Sequence, residues 1–369
     1  MKKLLTLTLS LLIMLAVTAQ DSTKLLLGQK LNSDNNEHIT IIQKNPTTSV
    51  KDQGRSGTCW CFATVSFLES ELLRMHNKTY DLSEMYIVRN NYIRRIKDNY
   101  LRRGNGNIGE GSIAHMVTYV LSHNGIMPES AYHGIPNNMP YPDHSLLQKY
   151  IHAISKVAVT AKSDIPEVIV NSVLDSHIGK VPETFRYNEK EYTAKSFEKS
   201  LGLKLSDYVE ITSFSHHPFY ERVPLEIPDN WDHALMYNVP LDILMEIMDN
   251  AIKEGYTMAW DGDVSEKGFS SKGVTVKYIG PKEDGKVSQV VRQNGFMNFT
   301  TTDDHLMHLV GTAKDDNGKY YYIIKNSWGP KAQDHGFLYM SKDYIAAKTI
   351  SIMINKNALS RKLRSKLGM

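Results

Sequence analysis

Gln53-Gly54-Arg55-Ser56-Gly57-Thr58-Cys59-Trp60 is a small, polar run that ends where a helical pattern begins. From Trp60 to Met75, Phe62, Ser66 and Leu73 fall near one stripe, with Phe67 and Leu68 adjoining it. A cysteine opening a helix sits at the positive end of the helix dipole, near unpaired backbone N–H groups. Both effects favour the thiolate, the form that acyl-transfer chemistry needs. Gln53, six residues upstream across a turn, can turn its side-chain amide back toward Cys59. With the Cys59 N–H it would supply two donors to an oxyanion. On these residues alone, a buried helix cysteine and an ordinary turn glutamine are an equal reading.

Asp304-His305-Leu306-Met307-His308-Leu309-Val310-Gly311 reads as a strand. Residues 305, 307 and 309 then face one way and 306, 308 and 310 the other. His305 opens the strand, where an active-site group projects, and His308 lies among apolar residues. His305 is therefore read as a general base and His308 as a core histidine; the pair does not make a metal site. In Ile324-Lys325-Asn326-Ser327-Trp328-Gly329, Asn326 can accept from one ring nitrogen of His305 and turn the other toward Cys59. Trp328 would shield that bond from water.

These three segments resemble the papain superfamily of cysteine peptidases. Gln53 through Ala63 is similar to its nucleophile motif, Asp304-His305 with Val310-Gly311 to its histidine strand, and Lys325 through Gly329 to its asparagine motif. Ser56 stands where most secreted members carry a disulfide cysteine. Cys59 and His305 are 246 residues apart, against about 130–150 in papain and the cathepsins. Together with the short leader before Gln53, these departures resemble the bleomycin hydrolase and aminopeptidase C branch. Ala259 through Ser265 is also similar to that branch, as are residues 109–125, its cleft-wall loop and helix. The resemblance implies an α+β, two-lobed papain-like fold with a large insertion between the catalytic Cys and His. It implies peptide substrates, no metal or organic cofactor, and catalytic Cys59, His305, Asn326 and Gln53. It also implies an aminopeptidase whose own C-terminus lies in the cleft, with Leu367-Gly368-Met369 as the segment that would enter. Relatives in this branch can be hexameric, so a homo-oligomer is compatible with it. A cysteine endopeptidase with an open cleft, an acyl transferase and a catalytically dead peptide-binding protein are the rival readings.

The rest of the chain fits this frame. Lys2 and Lys3, the apolar run Leu4 to Val17 and Val17-Thr18-Ala19 read as a signal peptide over 1–19, cleaved after Ala19, hence an exported, periplasmic or extracellular protein. That run is short for a membrane span. Formal net charge is +3 over 369 residues, which gives no electrostatic argument for nucleic acid. Cys59 and Cys61 are the only cysteines; on one helix they point apart and stay free. Residues 20–45 read as a polar leader, 133–235 as an insertion and 356–369 as a C-terminal tail. Helices are expected near 84–95, 112–123 and 241–253, and strands near 256–260, 274–279, 305–313 and 319–325. Arg89, Arg94, Arg95, Lys97, Arg102 and Arg103 read as a solvated basic face.

Overall fold

The computed structural model describes residues 30–32, 38–135, 139–270 and 273–369. The expected signal peptide lies outside these residues. The described chain opens on an antiparallel pair, β1 (Lys30–Asn32) and β2 (His38–Lys44). This corrects the reading of 20–45 as a leader. Ile39 and Ile41 alternate along β2 and are both buried, so from His38 the chain is already core.

The helical lobe follows. α1 (Cys59–His76) begins at the candidate nucleophile, and every side chain from Trp60 to Leu72 is buried. It stops at Asn77, whose left-handed backbone (φ 49°) sends its N–H to the Leu73 carbonyl. Ser83 caps α2 (Glu84–Leu101) by accepting from the Tyr86 N–H. The basic face expected on α2 is solvated only at Lys97, Arg102 and Arg103. Arg89 and Arg95 are buried; Arg89 pairs with Asp175 and Arg94 with Asp232. α3 (His115–Asn124) ends at Gly125, whose φ of +83° favours glycine.

The segment read as an insertion is shared between the lobes. Its first half forms α4 (Ser145–Ala161), α5 (Glu167–Ile178), the hairpin β3 (Phe185–Tyr187) and β4 (Lys190–Tyr192), and α6 (Ala194–Leu201). Leu147, Ile151, Leu174 and Phe197 join the same core as Trp60, Phe67 and Val117. Its second half forms β5 (Tyr208–Thr212), β6 (Arg222–Pro224) and β7 (Leu235–Asn238), all in the main sheet.

α7 (Leu241–Lys253) matches its expected range. β8 (Met258–Gly262) starts later than expected, because the Tyr256 N–H still serves the helix end on the Ala251 carbonyl. Beyond it come β9 (Thr275–Val276), the unexpected helix α8 (Gln289–Met297), β10 (His305–Asp315), β11 (Tyr320–Lys325), β12 (Phe337–Ser341), α9 (Lys342–Lys348) and β13 (Thr349–Asn355). The sheet has 11 strands and runs β6-β7-β5-β13-β8-β10-β11-β12-β9, with β2 also on β10. β10 is the pivot: His305 to Leu309 pair with β8, and Gly311 to Asp315 pair with β2. A Cβ at Gly311 would overlap the Gln43 carbonyl, so glycine lets β2 close on the strand. Leu306 joins the core of the helical lobe, and Met307 and Leu309 join the core on the opposite face with α7.

The tail docks rather than entering the cleft. It forms α10 (Arg361–Lys366), and Leu367 is buried in the α7 core at 7% exposure. Leu359 and Leu363 line a pocket with Ile243, Ile247 and Asn250 of α7, and Lys366 lies over the Tyr220 ring. The expected cleft entry of Leu367-Gly368-Met369 is thereby corrected. An amphipathic end finds its apolar partner on α7, which shields the tail's leucines from water. Leu367→Ala is expected to lower the free energy of unfolding by about 2–3 kcal/mol. The check is a shift of the urea midpoint at unchanged slope; an unmoved midpoint contradicts the docking.

Candidate active site

Cys59 is the first residue of α1 and is partly exposed, whereas Cys61 is buried. The Cys61 thiol is occupied by the Glu84 carbonyl at 3.4 Å. Three contacts shape the turn before the helix. Ser56 Oγ donates to the Gln53 carbonyl at 2.7 Å. The Trp60 indole N–H donates to the Glu110 carbonyl at 3.0 Å, and the Glu110 carboxylate accepts from the Gly57 N–H. Gly54 has φ +57°, and a Cβ there would overlap Tyr141 and the Pro142 carbonyl. A hydroxyl and a glycine therefore hold the turn. The Cys59 sulfur meets the backbone N–H of Leu306, the residue after His305.

The structure brings His305 and Asn326 together. His305 Nε2 and Asn326 Oδ1 are 2.9 Å apart. The same Oδ1 accepts from the Ser327 backbone N–H at 2.8 Å. That N–H can only donate, so the amide oxygen faces it and Asn326 can only accept from the ring. His305 Nε2 thus carries the proton, and Nδ1 keeps the lone pair of a base. The Trp328 ring stacks on His305 at 5.2 Å and 22°, covering the bond. His308 is fully buried and bonds Ser66 Oγ at 2.8 Å; Ser66 in turn accepts from the Lys325 ammonium at 2.7 Å. His308 belongs to this internal chain and not to the cleft.

Gln53 is buried and tied to the same turn. Its Oε1 accepts from Ser327 Oγ at 2.6 Å, and its backbone N–H donates to the Ser327 carbonyl at 2.9 Å. Its Nε2 donates to the Ser56 carbonyl at 2.9 Å. An amide nitrogen has two hydrogens, so one remains for a ligand oxygen. Ser327, which sequence reasoning did not single out, therefore links the orienting asparagine to the candidate oxyanion donor.

Burial governs the charges. It pushes the Cys59 thiol up to about 12, against the Leu306 N–H and with help from Asp229, Asp261 and Asp303. It pushes the His305 imidazole down to about 4, against the pull of Asn326. The helix head alone therefore does not hold Cys59 as a thiolate: burial outweighs the dipole. A proton passed from a thiol to an imidazole charges both at once, and the attraction of such a pair would oppose the burial cost. The three aspartates were also not singled out, since they come from three distant segments. A surface cluster, His216, His217 and Glu226, brings three potential metal ligands within 4.8 Å. Gln293 Oε1 accepts from the Ser215 N–H, so its amide donates to His216 Nδ1. That places the His216 proton on Nε2, which donates to Glu226, so His216 turns no lone pair toward the other two groups.

Two family models match the chain: the Peptidase C1-like family over residues 153–369 and the papain family cysteine protease over residues 36–251. The chain is 23% identical to Aminopeptidase G of Lactobacillus delbrueckii subsp. lactis, over 86% of this chain and 83% of that protein. It is 23% identical to Aminopeptidase C of Streptococcus thermophilus, over 84% of this chain and 81% of that protein. The fold matches the crystal structure of PepW from Lactobacillus rhamnosis HN001 with a TM-score of 0.67 at 16% identity, covering 98% of this chain and 90% of that one.

The pair's electrostatics set an expected pH profile. In His305→Ala, Cys59 loses its proton acceptor and the buried thiol keeps its raised pKa. Its alkylation by iodoacetamide should climb about tenfold per pH unit between about pH 6 and 9, from a rate far below wild type. The wild-type profile should be flatter, with label on Cys59 and none on Cys61 by peptide mapping. A flat profile in the variant contradicts the pairing.

Proposed function

The chain belongs to the Peptidase C1-like family of papain-type cysteine peptidases, and on that premise we propose that it removes N-terminal residues from peptides with Cys59 as nucleophile. The bond from His305 Nε2 to Asn326 Oδ1, 2.9 Å, carries this reading of the site, because it leaves Nδ1 free to act as a base. The relatives named aminopeptidases, matched over most of this chain, support the exopeptidase part.

Cys59 gives its proton to His305 Nδ1 as the sulfur bonds to the peptide carbonyl carbon. The carbonyl oxygen, now an oxyanion, accepts from the Cys59 N–H and the free hydrogen of Gln53 Nε2. The first N–H groups of a helix have no intrahelical partner, so the Cys59 N–H is available. His305 returns the proton to the leaving amine as the C–N bond breaks, leaving a thioester. Water attacks the thioester while His305 takes its proton. The C–S bond then breaks, releasing the N-terminal residue as its acid and restoring the thiol. Asn326 holds the imidazolium in plane through both steps, and Trp328 keeps water off their bond.

The basic and apolar opening from Lys2 to Ala19 supports export with a mature chain from Gln20. N-terminal sequencing of the expressed protein checks this, and an intact Met1 in the mature product contradicts it.

The activity test compares aminoacyl fluorogenic amides with their N-acetylated forms. The expected result is turnover of the free-amine series, abolished in Cys59→Ala and kept largely intact in Cys61→Ala. Asn326→Ala should lower the rate by a factor of about ten to a thousand, since an orienting group contributes less than the nucleophile it serves. Preference for N-acetylated peptides would replace this reading with an endopeptidase.

A further inference from the structure

With the C-terminal tail docked on α7, something else must close the cleft if single N-terminal residues come off. The loop Gly104–Gly111 lines one wall, held to the nucleophile turn by Glu110 through Trp60 and Gly57. A second segment, Pro228 to Asp232, is laid over this wall. The Pro228 carbonyl accepts from Asn107 Nδ2 at 2.8 Å, and the Trp231 indole N–H donates to Ser112 Oγ at 3.3 Å. Asp232 accepts from Arg94 at 2.7 Å and bonds His115 Nε2 at 2.7 Å. These anchors seat the Asp229 carboxylate directly against Gly111, where a Cβ would overlap it.

Asp229 meets two further carboxylates there. Its backbone N–H lies toward Asp303, two residues before His305, and lowers the pKa of that carboxyl. Asp303 lies beside Asp261, which stands on β8 opposite Leu306. Asp261 is 1% exposed. Asp261 Oδ1 and Asp303 Oδ2 are buried and meet no donor among the described residues. Between them only a proton kept by one carboxyl can be shared. Arg95 pulls on the Asp229 carboxyl but directs its hydrogen bonds to Asn107 and to the Gly111 carbonyl.

We infer that Asp229, with Asp303 and Asp261, forms the subsite for the substrate's α-ammonium group, and that the Pro228–Asp232 segment closes the cleft beyond the first residue. This rests on the aminopeptidase reading above. An α-ammonium brings one positive charge and three donors, which matches a carboxylate group whose Asp261 Oδ1 and Asp303 Oδ2 lack donors, Asp261 Oδ2 being met by Ser351 Oγ at 3.5 Å. In an N-terminal residue the amine lies about 2.5 Å from the carbonyl carbon under attack, from bond lengths alone. It must therefore sit close to the Cys59 sulfur, and these three carboxylates are the acidic groups whose field acts on that sulfur. A longer or N-acylated substrate would have to place neutral chain where Asp229 stands, stranding the carboxylates without a cation.

The test compares wild type, D229N, D229A and D303N on free-amine and N-acetylated aminoacyl fluorogenic amides, with thermal unfolding as the fold check. D229N and D303N are expected to lower kcat/KM on free-amine substrates by roughly thirtyfold or more, mainly through KM. D229A is expected to gain turnover of N-acetylated substrates. D303N, on the sheet side, carries the same expectation without depending on the Pro228–Asp232 segment. If the wild type is an aminopeptidase and the folded variants keep its free-amine kcat/KM within about threefold, the ammonium subsite is wrong and the function stands. If the wild type itself prefers N-acetylated peptides, both fall, and that result is read without any variant.

Discussion

A helix buried on all sides can reach water only at its ends. α1 is such a helix, and its sequence is not apolar throughout: Thr64, Ser66, Glu69, Ser70 and Glu71 are buried with Trp60, Phe67 and Leu68. Each polar group taken from water must find a partner in whatever packs against it. Ser66 meets His308 on β10. Glu69 accepts from the Leu82 N–H at 2.8 Å and from Thr48 Oγ at 2.6 Å. Glu71 accepts from Arg74 and from Asn355 at the end of β13. Lys51 adds a cation to this interior, bonded to Glu84 at 2.8 Å and Asp81 at 2.7 Å. The polar residues of one helix thus specify which strands and loops lie against it and in what register. Both ends reach water: Arg74, Met75 and His76 are exposed at one, and Cys59 is half-buried at the other.

The same economy governs the site. Ser327 uses its N–H on Asn326, its hydroxyl on Gln53 and its carbonyl on the Gln53 backbone. One residue of the β lobe thus ties Asn326, and through it His305, to Gln53 in the segment before α1. The two halves of the chemistry cannot drift apart without breaking a buried hydrogen bond, which is costly where no water replaces it. Asn326 and His305 then need no choice of rotamer or tautomer, since the N–H of Ser327 has already made it.

What could be read from the chain was what local pattern determines. Leu241 to Lys253 carries a clear apolar stripe and a glycine stop, and its helix has those bounds. Cys59, His305, Asn326 and Gln53 lie in short segments whose chemistry is local; the fold bonds His305 to Asn326 and ties Gln53 to the neighbouring Ser327. β13 was not legible: Thr349 to Asn355 is buried along its whole length, so no alternation marks it as a strand. β2 does alternate, but it sits at the end of a polar stretch that hides it. The amphipathic character of the C-terminus was visible, whereas its partner, the face of α7, is a tertiary fact. Asp229, Asp261 and Asp303 were missed for the same reason. Each is an ordinary acidic residue in its own segment, and only packing puts the three on one sulfur.

The pairing of β2 with the second half of β10 has a consequence for how the molecule comes into being. Gln43 and Lys44 lie opposite Thr312 and Gly311, so the ladder joins nearly the two extremes of the described chain. Closing so long a loop costs conformational entropy before any contact compensates it, and non-local strand pairing is slow. β10 cannot receive β2 before its own residues have left the ribosome, and Leu367 completes the α7 core only when the last turn of chain is present. The helical lobe, built from shorter-range contacts, can form during synthesis. The β lobe, and with it His305 and Asn326, assembles later, when β10 is in place to receive β2, so Cys59 stands at the head of a folded helix before the segments that carry His305 and Asn326 have joined it.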